Sequence, residues 1–317
     1  MKKLIIGIIG LIVLFLAVVY IFIPSKVTTK SEIVISTTER SAQRFLLENT
    51  GWAAWWPIDS SYNSIADKND FQYNGYLYSI AEKYLTGVII NTRQREIPLR
   101  SVISLIPLGK DSLKVSWSQT IETATNPFRR IAQYRKAMRL EANMKGILQH
   151  FKTFIDKEEN IYGITISAAV VSDTLLVTTK ERLLKEPEQA DIYRLVDKLQ
   201  HFITQHGAAV TNPPMCNVSK LEHPPFLAFD LMVALPVNKV LPNEGDIVFK
   251  RMVPGTILVT EVKGGPAAIK NAFMQLDNYI QDHHYDPAAI PFESMITNRL
   301  QQPDTTQWIT RICYPIL

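Results

Sequence analysis

Residues 160–317 can be laid over themselves, and this internal repeat restricts the fold more than any other feature of the chain. A repeat sets architecture, because each copy must bury against its sister. Thr174-Leu175-Leu176-Val177-Thr178 resembles Thr256-Ile257-Leu258-Val259-Thr260. The helical stretch starting at Ile192 matches the one starting at Ile269. Phe202-Ile203 then falls on Tyr279-Ile280, His206 on His283, and Pro214 on Pro291. Each copy closes with an apolar strand, residues 226–236 in the first and 308–316 in the second. The spacing predicts two strand-helix-strand-strand units. One unit alone cannot cover its helix, so a pair is expected, with a pocket near the pseudo-two-fold axis.

The repeat is most informative where it breaks. Ile290-Pro291-Phe292-Glu293-Ser294-Met295-Ile296-Thr297-Asn298 reads as an apolar strand carrying one carboxylate. Burying a charge costs several kcal/mol unless it is paired or meets a ligand. The sister strand has Cys216 at the place of Glu293. Only one copy therefore carries the acid. Strand alternation puts Met295 and Thr297 on the face of Glu293, and Phe292, Ser294 and Ile296 on the other. A carboxylate in an aromatic cleft attracts a desolvated cation. Trp308, Tyr279, Phe292 and Tyr314 are the candidates for such a cleft, with Tyr314 preferred because a buried hydroxyl wants a partner. The competing reading is a solvated or salt-bridged structural glutamate, with each aromatic in the core.

At the other end, residues 4–23 form an unbroken apolar run after Lys2-Lys3. About 20 such residues span a bilayer core as a helix. A cleaved signal peptide would have a shorter run ending in small residues. This run ends Val-Tyr-Ile-Phe-Ile-Pro, so an uncleaved single-pass membrane anchor over residues 1–26 is expected. Lys2 and Lys3 point to a cytoplasmic N-terminus with the bulk of the chain extracytoplasmic, although Lys26 and Lys30 flank the far end.

Between anchor and repeat lies a region of about residues 27–159. It begins with a short β-rich run at residues 32–36. A helix start follows at Ser36-Thr37-Thr38-Glu39, and then Trp52-Ala53-Ala54-Trp55-Trp56-Pro57. Strand-like runs follow at residues 76–92, 97–107 and 113–122. A helix then starts at Asn126-Pro127 and reaches about Asp156. Its apolar stripe is Ile131, Tyr134, Met138, Met144, Ile147, Leu148, Phe151 and Ile155. The polar run Lys157-Glu158-Glu159-Asn160 marks the boundary to residues 160–317.

This order, with its Trp-x-x-Trp-Trp-Pro stretch, resembles the START-like helix-grip superfamily, also called the polyketide cyclase (SRPBCC) family. The resemblance implies an antiparallel sheet around a long C-terminal helix and an apolar cavity suited to a lipid-type ligand. The tryptophans, Trp117 included, serve equally well as plain core. The second region resembles the GyrI-like family, the effector-binding domains of bacterial transcription activators. The resemblance rests on Lys263-Gly264-Gly265-Pro266, on Pro291-Phe292-Glu293 and on Ile312-Cys313-Tyr314-Pro315-Ile316. It implies a tandem fold that binds small hydrophobic or cationic molecules, with Glu293 as the ligand contact. Some relatives hydrolyse their ligand, which would make Glu293 a general base. Two departures weigh against carrying that over: Met295 where tyrosine is common, and Lys263 where histidine is.

A formal charge of +4 without a dense basic block does not suggest nucleic acid as a partner. Two cysteines without C-x-x-C exclude a cysteine-based zinc site and a disulfide framework, though not a single bridge. His283 and His284 near Asp282 and Asp286 raise the thought of a metal. The match of His283 to His206 favours a helix C-terminal role instead. No G-x-S-x-G supports serine catalysis, and no cofactor is expected. The sequence thus predicts an α+β chain: a transmembrane helix, a helix-grip domain, and a tandem effector-binding domain. Its expected function is small-molecule binding at Glu293, Tyr314, Trp308, Tyr279 and Met295. A hydrolase is the alternative. A transcription regulator ranks lower, because a membrane span stands where a DNA-binding domain would be expected.

Overall fold

The apolar run is too hydrophobic to do anything but close its own backbone hydrogen bonds. In the computed structural model it is a single helix, α1 (Lys2–Phe22), long and apolar enough to cross a membrane. The structure describes residues 2–57, 70–94, 98–171, 175–223, 226–252 and 254–317. Thr174 of the repeat and Ile97 at the start of one predicted strand lie outside these. The chain divides into two compact units, Met1–Ile161 and Tyr162–Leu317. Both are built on curled antiparallel sheets, and the chain is of the α+β class.

The first unit runs β1 (Lys26–Ile35), α2 (Glu39–Leu46), α3 (Asn49–Trp55), β2 (Phe71–Tyr73) and β3 (Tyr76–Tyr84). It continues with β4 (Gly87–Arg93), β5 (Leu99–Gly109), β6 (Ser112–Glu122) and α4 (Pro127–Ile155). Its six strands lie in the order β1-β6-β5-β4-β3-β2. Three readings needed correction. β1 begins at Lys26, because Val27, Thr29, Ser31 and Ile35 alternate inward and pair with β6. The run at residues 76–92 is a hairpin turned at Leu85-Thr86, not one strand. On α4 the buried stripe passes through Ala137 and Leu140, while Met138 is exposed.

Local chemistry starts the helices where the sequence suggested. The Thr38 hydroxyl accepts from Ser41 N at 3.3 Å, and the Asn126 carboxamide accepts from Phe128 N and Arg129 N. The tryptophans are core. Trp52 and Trp117 are fully buried, and Trp52 stacks on Trp56 with ring centroids 4.9 Å apart. Each indole N–H finds an internal acceptor: Leu46 O for Trp52, Phe45 O for Trp55, Gln72 O for Trp56 and Ser101 Oγ for Trp117.

A short helix, α5 (Glu158–Tyr162), occupies the polar run read as a boundary. Then come β7 (Ser167–Val170), β8 (Leu175–Leu183), α6 (Gln189–Gln205), β9 (Met215–His223) and β10 (Phe226–Pro236). The second copy follows as β11 (Val248–Arg251), β12 (Thr256–Lys263), α7 (Pro266–His283), β13 (Phe292–Met295) and β14 (Ile309–Ile316). The sheet order is β11-β8-β10-β9-β13-β14-β12-β7. Three strands of each repeat form a contiguous block, β8-β10-β9 and β13-β14-β12, and the blocks meet at β9 and β13. The leading strands were not foreseen, and they are exchanged: β7 pairs with β12 of the second copy, and β11 with β8 of the first.

At the seam Cys216 pairs with Glu293 and Met215 with Ser294. Cys216 and Glu293, equated by the repeat, are thus each other's cross-strand partners, so the pseudo-two-fold axis passes between them. The ladders also correct the sequence alignment of β8 with β12 by one residue. Arg251 pairs with Leu175 as Val170 pairs with Thr256, which makes Leu175 the counterpart of Thr256. A slip of one residue exchanges the faces of a strand. In the corrected register Val177 and Leu258 both lie under helices, and Leu176 and Ile257 both face the other side. His206 and His283 each lie tilted against the aromatic ring one turn earlier, Phe202 and Tyr279, with centroids 4.3 Å apart.

The close packing of α2 on α3 can be tested at Gly51. A β-carbon there would stand 2.5 Å from Arg44 O and 2.7 Å from Phe45 Cα, both backbone atoms. We expect Gly51→Ala to destabilise the first unit by about 1–3 kcal/mol, the usual cost of overpacking. Denaturant unfolding followed by near-ultraviolet circular dichroism of the tryptophans would measure it.

Candidate functional site

β13 is a short strand between β9 and β14, and its alternation fixes where its side chains go. Phe292 and Ser294 face away from the helices; Glu293 and Met295 face them. Glu293 is thereby placed on the helix-bearing face, beside the pseudo-two-fold axis.

The carboxylate does not stand alone. Its Oε2 accepts from Arg299 Nη2 at 2.7 Å, and Oε1 lies 3.4 Å from Nη1. The Arg299 side chain is 2 % exposed and that of Glu293 13 %. Arg299 arrives from the connection between β13 and β14, six residues after its partner. Its guanidinium also donates to Thr310 Oγ1 at 3.0 Å and to Gln189 Oε1 at 3.5 Å. The cationic carbon sits 4.9 Å from the ring centre of Trp308. The loop is pinned in turn, because Arg299 N donates to the Tyr193 hydroxyl at 2.7 Å, and Trp308 Nε1 donates to Gln302 O at 2.8 Å. Carboxylate, guanidinium and indole thus form a cation site filled from within. Arg299 Nε is buried without an acceptor, so the site is not perfectly matched to its own arginine.

The five residues expected to line a ligand site are dispersed. Arg299 brings Glu293 and Trp308 together. Met295 is 1 % exposed and packs with Cys216 and Leu199 under α6. Tyr314 lies with α7, two residues along β14 from Ile312, the strand partner of Glu293. Burial and then the nearby Asp277 hold its phenol above the ordinary tyrosine range. Tyr279 belongs to an aromatic group with Tyr162, His283 and Tyr285 at the end of α7. The Tyr162 hydroxyl donates to Asp282 there at 2.8 Å. Among the described residues no group of three His, Cys, Asp or Glu side chains is placed to hold a metal. Cys216 and Cys313 are both buried. Burial, reinforced by Glu293, pushes the Cys216 thiol far up and makes it a poor nucleophile.

A cavity of about 380 Å³ opens on the opposite face of the sheet, and none of the five predicted residues lines it. Reasoning from sequence missed Arg299, Thr310, Gln189 and Tyr193. Arg299 had no legible signal, since its approach depends on a loop path. The hydroxyls were hidden because Tyr193 and Thr310 read as ordinary members of a helix and a strand.

Solved structures similar to parts of this chain include the following. EcmrR in a DNA complex is 21 % identical, with 60 % of this chain and 70 % of that one covered and a TM-score of 0.43. The EcmrR C-terminal domain is 20 % identical, covering 49 % of this chain and 98 % of that domain, with a TM-score of 0.40. SAV2435 bound to tetraphenylphosphonium is 14 % identical over 49 % of this chain and 94 % of that one, with a TM-score of 0.30. No protein-family model matches the chain, and no curated protein sequence does.

Removing one partner of a buried ion pair costs about 3–5 kcal/mol, whereas replacing both by apolar groups can be neutral. We therefore expect Glu293→Leu and Arg299→Met each to lower stability by about that amount, and the double variant to recover most of it. A double-mutant cycle by denaturant unfolding would show this as a large coupling energy.

Proposed function

We propose that the second unit is a GyrI-like effector-binding domain that takes a small hydrophobic cation at Glu293, in exchange for Arg299. The observation that carries this reading is the guanidinium held between the Glu293 carboxylate and the Trp308 ring. A carboxylate facing an aromatic plane is the chemistry that recognises a desolvated cation. The chain fills it with its own cation, so an external ligand competes with a tethered one. That lowers apparent affinity by the fraction of molecules in which the arginine has left. The one-sided acid supports the same reading, because the scaffold itself tolerates Cys216 at the equivalent position. Tyr314, beside α7, and Tyr279, on it, are the further aromatic surfaces a bulky ligand would meet once the loop opens. Both carboxylate oxygens face the guanidinium, which suits cation exchange better than abstraction of a proton from water.

For the first unit we propose the START-like helix-grip assignment, which its strand order and the packing of α4 on the sheet support. Trp52, Trp55, Trp56 and Trp117 fill its interior, so the ligand role is given to the second unit. We propose further that α1 is an uncleaved anchor. Leu4, Ile6, Leu11, Leu14, Ile21 and Phe22 are exposed along it, and such a surface calls for lipid.

Titration of the full chain with tetraphenylphosphonium, followed by calorimetry in a neutral detergent, tests the exchange. Glu293→Gln should weaken binding at least tenfold, while Arg299→Ala should tighten it at least tenfold and regain thermal stability on adding the cation. Equal affinity in wild type and both variants would refute the site. For topology, a reporter enzyme fused after Leu317 should be active only outside the cytoplasm; activity inside would overturn the orientation.

A further inference from the structure

The cavity on the helix-free face has a chemistry opposite to that of Glu293. Its walls include Leu176, Met215, Met232, Ala234 and Phe292. Alternation puts these side chains on one side because their neighbours Val177, Cys216, Leu231, Val233 and Glu293 go to the helices. The polar side chains in the wall are spent within the protein. Thr178 Oγ1 donates to Val248 O at 3.1 Å, and Asn217 Nδ2 donates to Pro291 O at 2.7 Å. The interior thus offers apolar surface, with three flexible thioethers, Met215, Met232 and Met252, able to adapt to a guest. Its volume of about 380 Å³ falls within the roughly 300–1,000 Å³ of small-molecule pockets.

The rim is cationic. Lys250 and Arg251, both exposed on the edge strand β11, line the opening. On the neighbouring strand β8 the cations are neutralised: Lys180 and Arg182 both meet Asp230, at 2.7 and 2.8 Å. Lys250 and Arg251 make no ion pair among the described residues. The repeat sharpens the point. In the register set by the ladders, their counterparts on β7 are Ala169 and Val170. As with Glu293, one copy carries the charge and the scaffold does not require it.

We propose that this cavity is a second binding site, for a single-chain amphiphile with a carboxylate head. The tail fills the pocket against Met215, Met232 and Phe292, and the head sits at Lys250, which pairs with Leu176 on this face, with Arg251 next to it at the strand end. An apolar tail alone would explain the cavity, and a surface anion would explain the cations. Only a molecule with both parts uses the pocket and its rim together.

The test uses the full chain in nanodiscs of zwitterionic lipid and decanoic acid bearing a terminal aliphatic diazirine. Photolysis followed by peptide mapping should place adducts on Met215, Met232 or Phe292. Excess decanoate should suppress them, while excess decanol, decyltrimethylammonium or tetraphenylphosphonium should not. Lys250→Glu combined with Arg251→Glu changes only exposed side chains and should cut the yield at least tenfold with an unchanged melting temperature. Ala234→Phe, which fills the pocket, should do the same. Adducts scattered along α6 and α7, equal suppression by the alcohol or the ammonium, or undiminished labelling after charge reversal would each overturn the proposal.

Discussion

The seam between β9 and β13 is the constraint on which the second unit depends. Two half-sheets of the same design meet there antiparallel, and the pairing of Cys216 with Glu293 sets the register of everything on either side. Antiparallel pairing of equivalent strands produces a two-fold axis, and the axis carries both helices to the same face of the sheet. One face is then a core under α6 and α7, and the other carries the cavity. The exchange of β7 and β11 ties the halves together, since neither copy completes its own edge.

On this symmetric frame the functional chemistry is asymmetric. Glu293 has no acidic counterpart, and Lys250 and Arg251 have no basic ones. Each charge stands where one face meets a different environment, the acid under the helices and the cations at the open edge. A symmetric dimer could not separate them in this way. A duplicated chain can, because its two copies are free to diverge while the backbone keeps its pairing. The Glu293–Arg299 pair also links function to stability. A buried pair of this kind adds little net stability over an apolar core, yet losing either member is costly. That makes it suited to an exchange in which one cation replaces another.

The first unit is organised differently. Its long helix α4 and its tryptophans fill one sheet rather than bridging two copies. The polar atoms of those tryptophans are satisfied by the α2–α3 backbone and by neighbouring strands. Here large side chains determine the packing.

Much of this was legible in residue order. The repeat, the helix starts at Thr38 and Asn126, the apolar α1 and the isolation of Glu293 all follow from local patterns, since periodicity and capping act over a few residues. What failed were statements needing distant partners. The one-residue shift between β8 and β12 could not be seen, because Thr-Leu-Leu-Val-Thr and Thr-Ile-Leu-Val-Thr align equally well by type; only the ladders to β7 and β11 decide which face each residue takes. Arg299 as the partner of Glu293 was invisible for the same reason. So was the cavity, which exists only where strands from both copies and the C-terminal segment converge. The sequence by itself determined that a duplicated scaffold carries one odd carboxylate. The tertiary structure decided what that carboxylate touches, because contact across a loop is set by the path of the chain and not by its spacing.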